Sequence, residues 1–111
     1  MIYLANSFSL KMLDKNVPTI TLDVSPTTIE EVKEYTNRYL FVSLIGHEGT
    51  AQLFTELLGV SVPVNRTTYT MGHKDILLVG LPSGGRLPEG KVLNKEELES
   101  LQVEWFIVQQ H

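Results

Sequence analysis

Apolar residues in this chain alternate with polar ones in some stretches and recur every third or fourth position in others, and the two periods predict strands and helices respectively. The opening MIYLA predicts a short strand, and the polar NSFS after it suits the cap of a short helix over FSLKML. Residues 17–24, VPTITLDV, alternate and are rich in Val, Ile and Thr, as half-buried strands are. In SPTTIEEVKEYTNRYL the period becomes helical. Ser25 is placed to cap, Pro26 suits the first helical position, and Glu30 and Glu31 favour the positive end. Ile29, Val32, Tyr35, Tyr39 and Leu40 then share one face. FVSLIG leads into the helix HEGTAQLFTELLG, with Phe54, Leu57 and Leu58 inward and Gly59 ending it as a left-handed cap. DILLVGL, residues 75–81, is a near-continuous apolar run, which predicts a central strand covered on both faces. NKEELESL reads as a short helix with Asn94 and Glu97 at capping-box spacing, and VEWFIVQQ as a closing strand. With no linker, repeat or low-complexity tract, the pattern predicts a single domain over residues 1–111. Its fold class is α/β, with one mixed β-sheet flanked by helices.

Composition narrows the class. A chain of 111 residues that is 42% hydrophobic and 20% charged is globular, with room for one modest core. It has no cysteine, which excludes disulfides and thiolate metal sites and suits a reducing compartment. MIYLANSFSL has neither a basic leader nor an apolar run of signal-peptide length, and no stretch is long enough to span a membrane. The expectation is a soluble, cytoplasmic protein without a membrane partner. The net charge of −4 changes the choice of ligand. Binders of long nucleic acid display a basic surface, because counterion release drives their affinity. Here any phosphate must be held by a few placed cations, so a compact ligand is expected and long duplex DNA is not.

Four stretches carry candidate chemistry. In SLIGHEGTAQLF, His47 stands where the first free amides of a helix attract anions, and an imidazole beside a phosphate can donate a proton to a leaving oxygen. Gly46 and Gly49 would let a ligand approach the backbone closely; the simpler reading makes His47 a helix cap facing solvent or a neighbour. In LPSGGRLPEGK, Gly84 and Gly85 precede Arg86, Pro88 and Gly90 bracket Glu89, and Lys91 adds charge. Such a loop can hold an arginine against phosphate oxygens, although a solvated surface turn is the commoner outcome, and it lacks the spacing of a P-loop. Arg66 lies beside Asn65 at the entry to an expected strand. Asn6, Ser7 and Ser9 cluster after the first strand, where anion binding and capping explain them equally well. No metal site is expected, since His47, His73 and His111 are widely separated and form no ligand motif, and the Gly-x-Ser-x-Gly elbow of serine hydrolases is absent.

Taken together, YLANSFSLKML, IGHEGTAQLFTELLG, the Asn65–Arg66 pair and GRLPEGKVL occur in the order and approximate spacing of one family. Over essentially its whole length the sequence resembles the small viral ring-nuclease anti-CRISPR proteins, found in archaeal viruses and phages and, as bacterial relatives, within type III CRISPR systems. The resemblance implies a metal-independent phosphodiesterase that needs no cofactor and degrades cyclic tetra-adenylate, the ring of four adenosines that switches on type III defence effectors. It implies a homodimer with the ring at the dimer interface, acting in the cytoplasm, which is the host's if the protein is viral. By position, the family's catalytic histidine falls on His47, its acidic residue on Glu89, its phosphate-contacting arginines on Arg66 and Arg86, and its site serine on Ser9. Asn6 and Gly46 complete the candidate binding set. Two other readings use the same residues: a sponge or sensor that holds the ring uncut, and an interaction protein in which His47 only caps.

Overall fold

The structure, a computed structural model, describes residues 1–82 and 103–111. Its strands are β1 (Ile2–Ala5), β2 (Leu22–Thr27), β3 (Phe41–Ser43), β4 (Ile76–Pro82) and β5 (Val103–Gln110), and its helices are α1 (Ile29–Arg38) and α2 (Glu48–Leu58). The strands form one five-stranded sheet in the order β2-β5-β4-β1-β3. β1 pairs in parallel with both β3 and β4, whereas β5 runs antiparallel to β4 and β2. The expected α/β domain with one mixed sheet is therefore the observed fold.

Side chains alternate across the sheet and build a core on each face. Ile2, Leu4, Leu78 and Trp105 face the helices, where Val32 of α1 and Ala51, Leu53, Phe54 and Leu58 of α2 cover them. Ala5, Leu77, Val79 and Val108 face the other way and pack with Leu13 and Met71 from irregular chain. β4 is thus buried on both faces, as its apolar run predicts. Opposite Trp105 it carries Gly80, where a Cβ would come within 2.5 Å of the indole and 2.8 Å of the Phe54 ring. The glycine makes room for the Phe54–Trp105 pair, whose centroids are 5.1 Å apart.

Several local expectations need correction. The strand expected over 17–24 lies at Leu22–Thr27, so Ser25 and Pro26 belong to β2 and do not start α1. Thr28 is the cap instead, its hydroxyl accepting the Glu31 N–H at 3.3 Å. Proline fits this edge strand for a geometric reason. The His111 N–H donates to the Thr21 carbonyl at 2.9 Å, which makes 23–109, 25–107 and 27–105 the hydrogen-bonded pairs of the ladder. Pro26 then points its missing N–H outward, where no partner strand needs it. Tyr39 and Leu40 lie beyond the end of α1 and are exposed, so the buried face of the helix is Val32 and Thr36, flanked by Ile29 and Tyr35. The helix expected over FSLKML is a single 3-10 turn, Leu10–Met12. The helix read from NKEELESL lies outside the described residues.

Candidate functional site

Because β4, β1 and β3 run parallel, their carboxyl ends meet at one end of the sheet. Chain leaving there passes through Asn6–Ser9 after β1 and through Leu44–His47 after β3. Open α/β sheets bind ligands just outside the carboxyl ends of their strands.

The path from β3 to α2 is fixed by short-range bonds. The Leu44 N–H donates to the Leu4 carbonyl at 2.8 Å, continuing the ladder one residue past β3. The buried Ser43 hydroxyl then accepts the Ile45 N–H at 3.2 Å and turns the chain out of the sheet, while the Ile45 side chain plugs the core. His47 follows as the N-cap of α2, with φ −128° and ψ 135°, and its carbonyl accepts the Ala51 N–H at 3.0 Å. Its half-buried imidazole makes no capping hydrogen bond. His47 is thus the helix cap of the simpler reading, but it caps through its backbone and leaves the imidazole out of the cap. The first amides of α2 lack intrahelical partners by position and, with the helix dipole, favour an anion beside that imidazole.

Arg66 reaches the same corner from the connection between α2 and β4. The strand expected at Arg66 is absent, and residues 59–75 carry no regular secondary structure. The Asn65 N–H donates to the Ile45 carbonyl at 2.8 Å, and its side-chain Nδ2 donates to the Ser43 carbonyl at 2.7 Å. Arg66 then lies across Gly46: a Cβ built on that glycine would be 3.5 Å from Arg66 Nε and 3.6 Å from Cγ. Gly59, which closes α2 at φ 71°, is the one positive-φ glycine among the described residues, so Gly46 does not supply an unusual backbone conformation. What its bare backbone faces is the arginine.

The structure thus brings Arg66 onto Gly46, the residue that precedes His47 in the chain. Asn6, half-buried, and Ser9, exposed, leave β1 at the same end of the sheet. Ser9 also caps the 3-10 turn by accepting the Lys11 N–H at 3.2 Å, so the capping role expected of this cluster is real. Arg86 and Glu89 lie outside the described residues. His73 approaches Asp14 at 3.5 Å and His111 bonds to Asp23, each apart from His47. Among the described residues no three His, Cys, Asp or Glu gather as metal ligands, and no helix is long and apolar enough to cross a membrane. A groove of about 270 Å³ lined by Thr27, Thr28, Ile29, Leu57, Val103 and Trp105 contains none of the candidate residues.

Sequence reasoning assigns no structural part to Ser43 and Asn65, which shape this corner. Asn65 and its acceptor are 22 positions apart, so no local pattern signals the bond. Farther along the same connection, the Tyr69 hydroxyl donates to Asp75 Oδ2 at 2.9 Å, and the Gly72 N–H reaches that oxygen at the same distance. Burial, and then the hydrogen bond to and charge of Asp75, push the Tyr69 phenol well above its ordinary pKa.

Residues 2–105 match the sequence profile of the STIV B116-like family. The chain is 36% identical over 102 residues to "Uncharacterized protein 26" of Sulfolobus islandicus filamentous virus, covering 91% of this chain and 84% of that protein. "Uncharacterized protein YddF" of Bacillus subtilis is 31% identical over 84 residues, 73% of this chain and 76% of the relative. Among solved structures, B116 of Sulfolobus turreted icosahedral virus superposes with a TM-score of 0.74 at 28% identity, covering 97% of each chain. A profile that spans nearly the whole chain, joined to sequence relatives and a shared fold, makes this protein a member of the STIV B116-like family.

Proposed function

We propose that this protein is a metal-independent ring nuclease that cleaves cyclic tetra-adenylate and so switches off type III CRISPR signalling in the cytoplasm where that signal is made. The observation that carries the reading is the corner at the carboxyl ends of β1 and β3. There His47 heads α2 with its imidazole free of any capping duty, and Arg66 lies across the adjoining Gly46. A proton donor, a guanidinium and unpaired helix amides beside one another suit a phosphodiester.

An RNA-like ring brings its own nucleophile. The ribose 2′-oxygen attacks phosphorus in line with the 5′-oxygen opposite, so the P–O2′ bond forms as the P–O5′ bond breaks. The 2′-hydroxyl proton leaves to solvent, and His47 protonates the departing 5′-oxygen. Charge that grows on the phosphate oxygens is met by Arg66, Arg86 and the first amides of α2. Glu89 orients Arg86 or steers the 2′-hydroxyl, and Ser9 and Asn6 contact the ring from the end of β1. None of these steps calls for a metal ion, and the twofold repeat in the ring matches a homodimer axis that presents two copies of His47.

Incubating the protein with cyclic tetra-adenylate and excess chelator tests the reading. The expected product is a linear adenylate ending in a 2′,3′-cyclic phosphate. His47→Ala should still bind the ring while cleavage falls by roughly 10²–10⁴-fold, the usual share of a positioned proton donor. Tight binding that leaves the ring intact would instead make the protein a sponge, and a product with a 5′-phosphate and free 3′-hydroxyl would mean that water attacks.

A further inference from the structure

Arg66 follows directly on Asn65, a residue that touches no substrate in the scheme above. Residues 59–75 carry no regular secondary structure, yet Arg66 lies over one particular place, the space that a Cβ on Gly46 would face, one residue before His47. Ser43 and Ile45 turn outward from the edge strand β3, because Val42 and Leu44 face β1 in the parallel ladder. Both outward carbonyls are claimed by Asn65, Ser43 through the side-chain Nδ2 at 2.7 Å and Ile45 through the main-chain N–H at 2.8 Å. A single residue thus makes two bonds at neighbouring points on one strand edge, which fixes both the position and the direction of the chain entering Arg66. The Ser43 hydroxyl, bound to the Ile45 N–H, holds the receiving backbone in shape.

We propose that Asn65 is a positioning residue, which clamps the α2–β4 connection onto the outer edge of β3 and thereby sets the Arg66 guanidinium beside His47. The proposal rests on Arg66 meeting the substrate phosphate, as the proposed function has it. The amide is required for its chemistry: Nδ2 is a donor aimed at a carbonyl, and an isosteric carboxylate would present an oxygen to that oxygen.

Asn65→Asp and Asn65→Ala, each alone and combined with Arg66→Ala, test the clamp. Arg66 is followed without any ligand through its Nε–H resonance, identified by its loss in Arg66→Ala. In both Asn65 variants that resonance should move to the position of a free arginine, while His47 and the thermal melting profile keep a folded protein in view. Single-turnover cleavage of cyclic tetra-adenylate should fall by roughly tenfold or more, as misplacement by about an ångström does. In the Arg66→Ala background, Asn65→Ala should cost less than about twofold further, because a residue acting through another adds nothing once its target is gone. An unmoved resonance overturns the clamp, and so does a loss that simply adds to that of Arg66→Ala. If Asn65→Asp does not fold, Asn65→Ala, which places no charge against Ser43, takes the same measurements. Should the parent protein leave the ring intact, the proposed function falls, and the Arg66 resonance still decides whether Asn65 positions it.

Discussion

At position 47 the chain gives up a side-chain helix cap. Ser, Thr, Asn or Asp there accepts an amide hydrogen bond worth about 0.5–2 kcal/mol. α1 has that arrangement at Thr28, while α2 has His47 with no side-chain bond. A residue kept at a cap without a side-chain bond is a cost to stability, and proton chemistry is what an imidazole offers in exchange. His47→Asn should therefore separate the two properties. The amide caps α2 and raises the unfolding free energy by roughly 0.5–2 kcal/mol, read by denaturant melting, while cleavage of cyclic tetra-adenylate drops as far as in His47→Ala. Loss of stability on this change would mean that the imidazole makes contacts worth more than a cap, and its role at the site would shrink accordingly. His47 was legible in the sequence because its signals are local: glycine before it, and a helix pattern closed by Gly59 after it. The Arg66–Gly46 contact was not, since the two residues meet only through the fold.

Among the elements, the strands and helices with a clean period were legible, and the misplacements fall where distant pairing overrides a local signal. Ser25-Pro26 is a good helix start in isolation, but the register of β2 on β5 continues to Thr27 opposite Trp105 and takes both residues into the strand. A second valid start at Thr28, three residues before Glu31, then serves α1. The irregular connection from α2 to β4 was the least legible element, because what orders it is side-chain bonding with no periodic signature: Asn65 to Ser43 near its middle, and Tyr69 to Asp75 within the connection toward its end. The second bond makes the connection sensitive to alkali. Tyr69 holds its proton more tightly in the folded protein than an unfolded phenol near pH 10 does. Its contribution is therefore complete below about pH 10 and is lost as pH rises toward the raised folded value. Stability measured by denaturant melting should fall above that pH in the parent protein, and less steeply in Tyr69→Phe, which has no proton to lose. Equal slopes in the two proteins would show that the Tyr69 bond does not couple the connection to folding.

For the whole molecule, charge and exposed apolar surface bear on how many copies make a site. To hold the proposed ring of four phosphates, a chain of net charge −4 would need local cations, and a second copy would double those near the proposed twofold axis. Among the exposed large apolar side chains of the described residues, Leu10 at 71% follows β1, Val64 at 49% precedes Asn65 and Leu81 at 37% is near the end of β4, while Met1, Val24, Tyr39 and Leu40 are exposed elsewhere. Burying such a group in a partner is worth about 1.5–3 kcal/mol, and the first three belong to the end of the sheet that carries His47 and Arg66. The proposed homodimer would therefore close over the site with these residues in its seam. Light scattering at micromolar concentration should return a dimer, and Leu10→Asp should shift it toward monomer by placing a carboxylate in that seam. Cleavage by the variant should then rise with protein concentration more steeply than in proportion, since active pairs form by a second-order step. Added cyclic tetra-adenylate should draw the variant back to dimer, because a ligand that binds only the pair stabilises it by mass action. A Leu10→Asp monomer that cleaves the ring at the parent rate at every concentration would place a complete site in one chain, and the twofold arrangement would have to be abandoned.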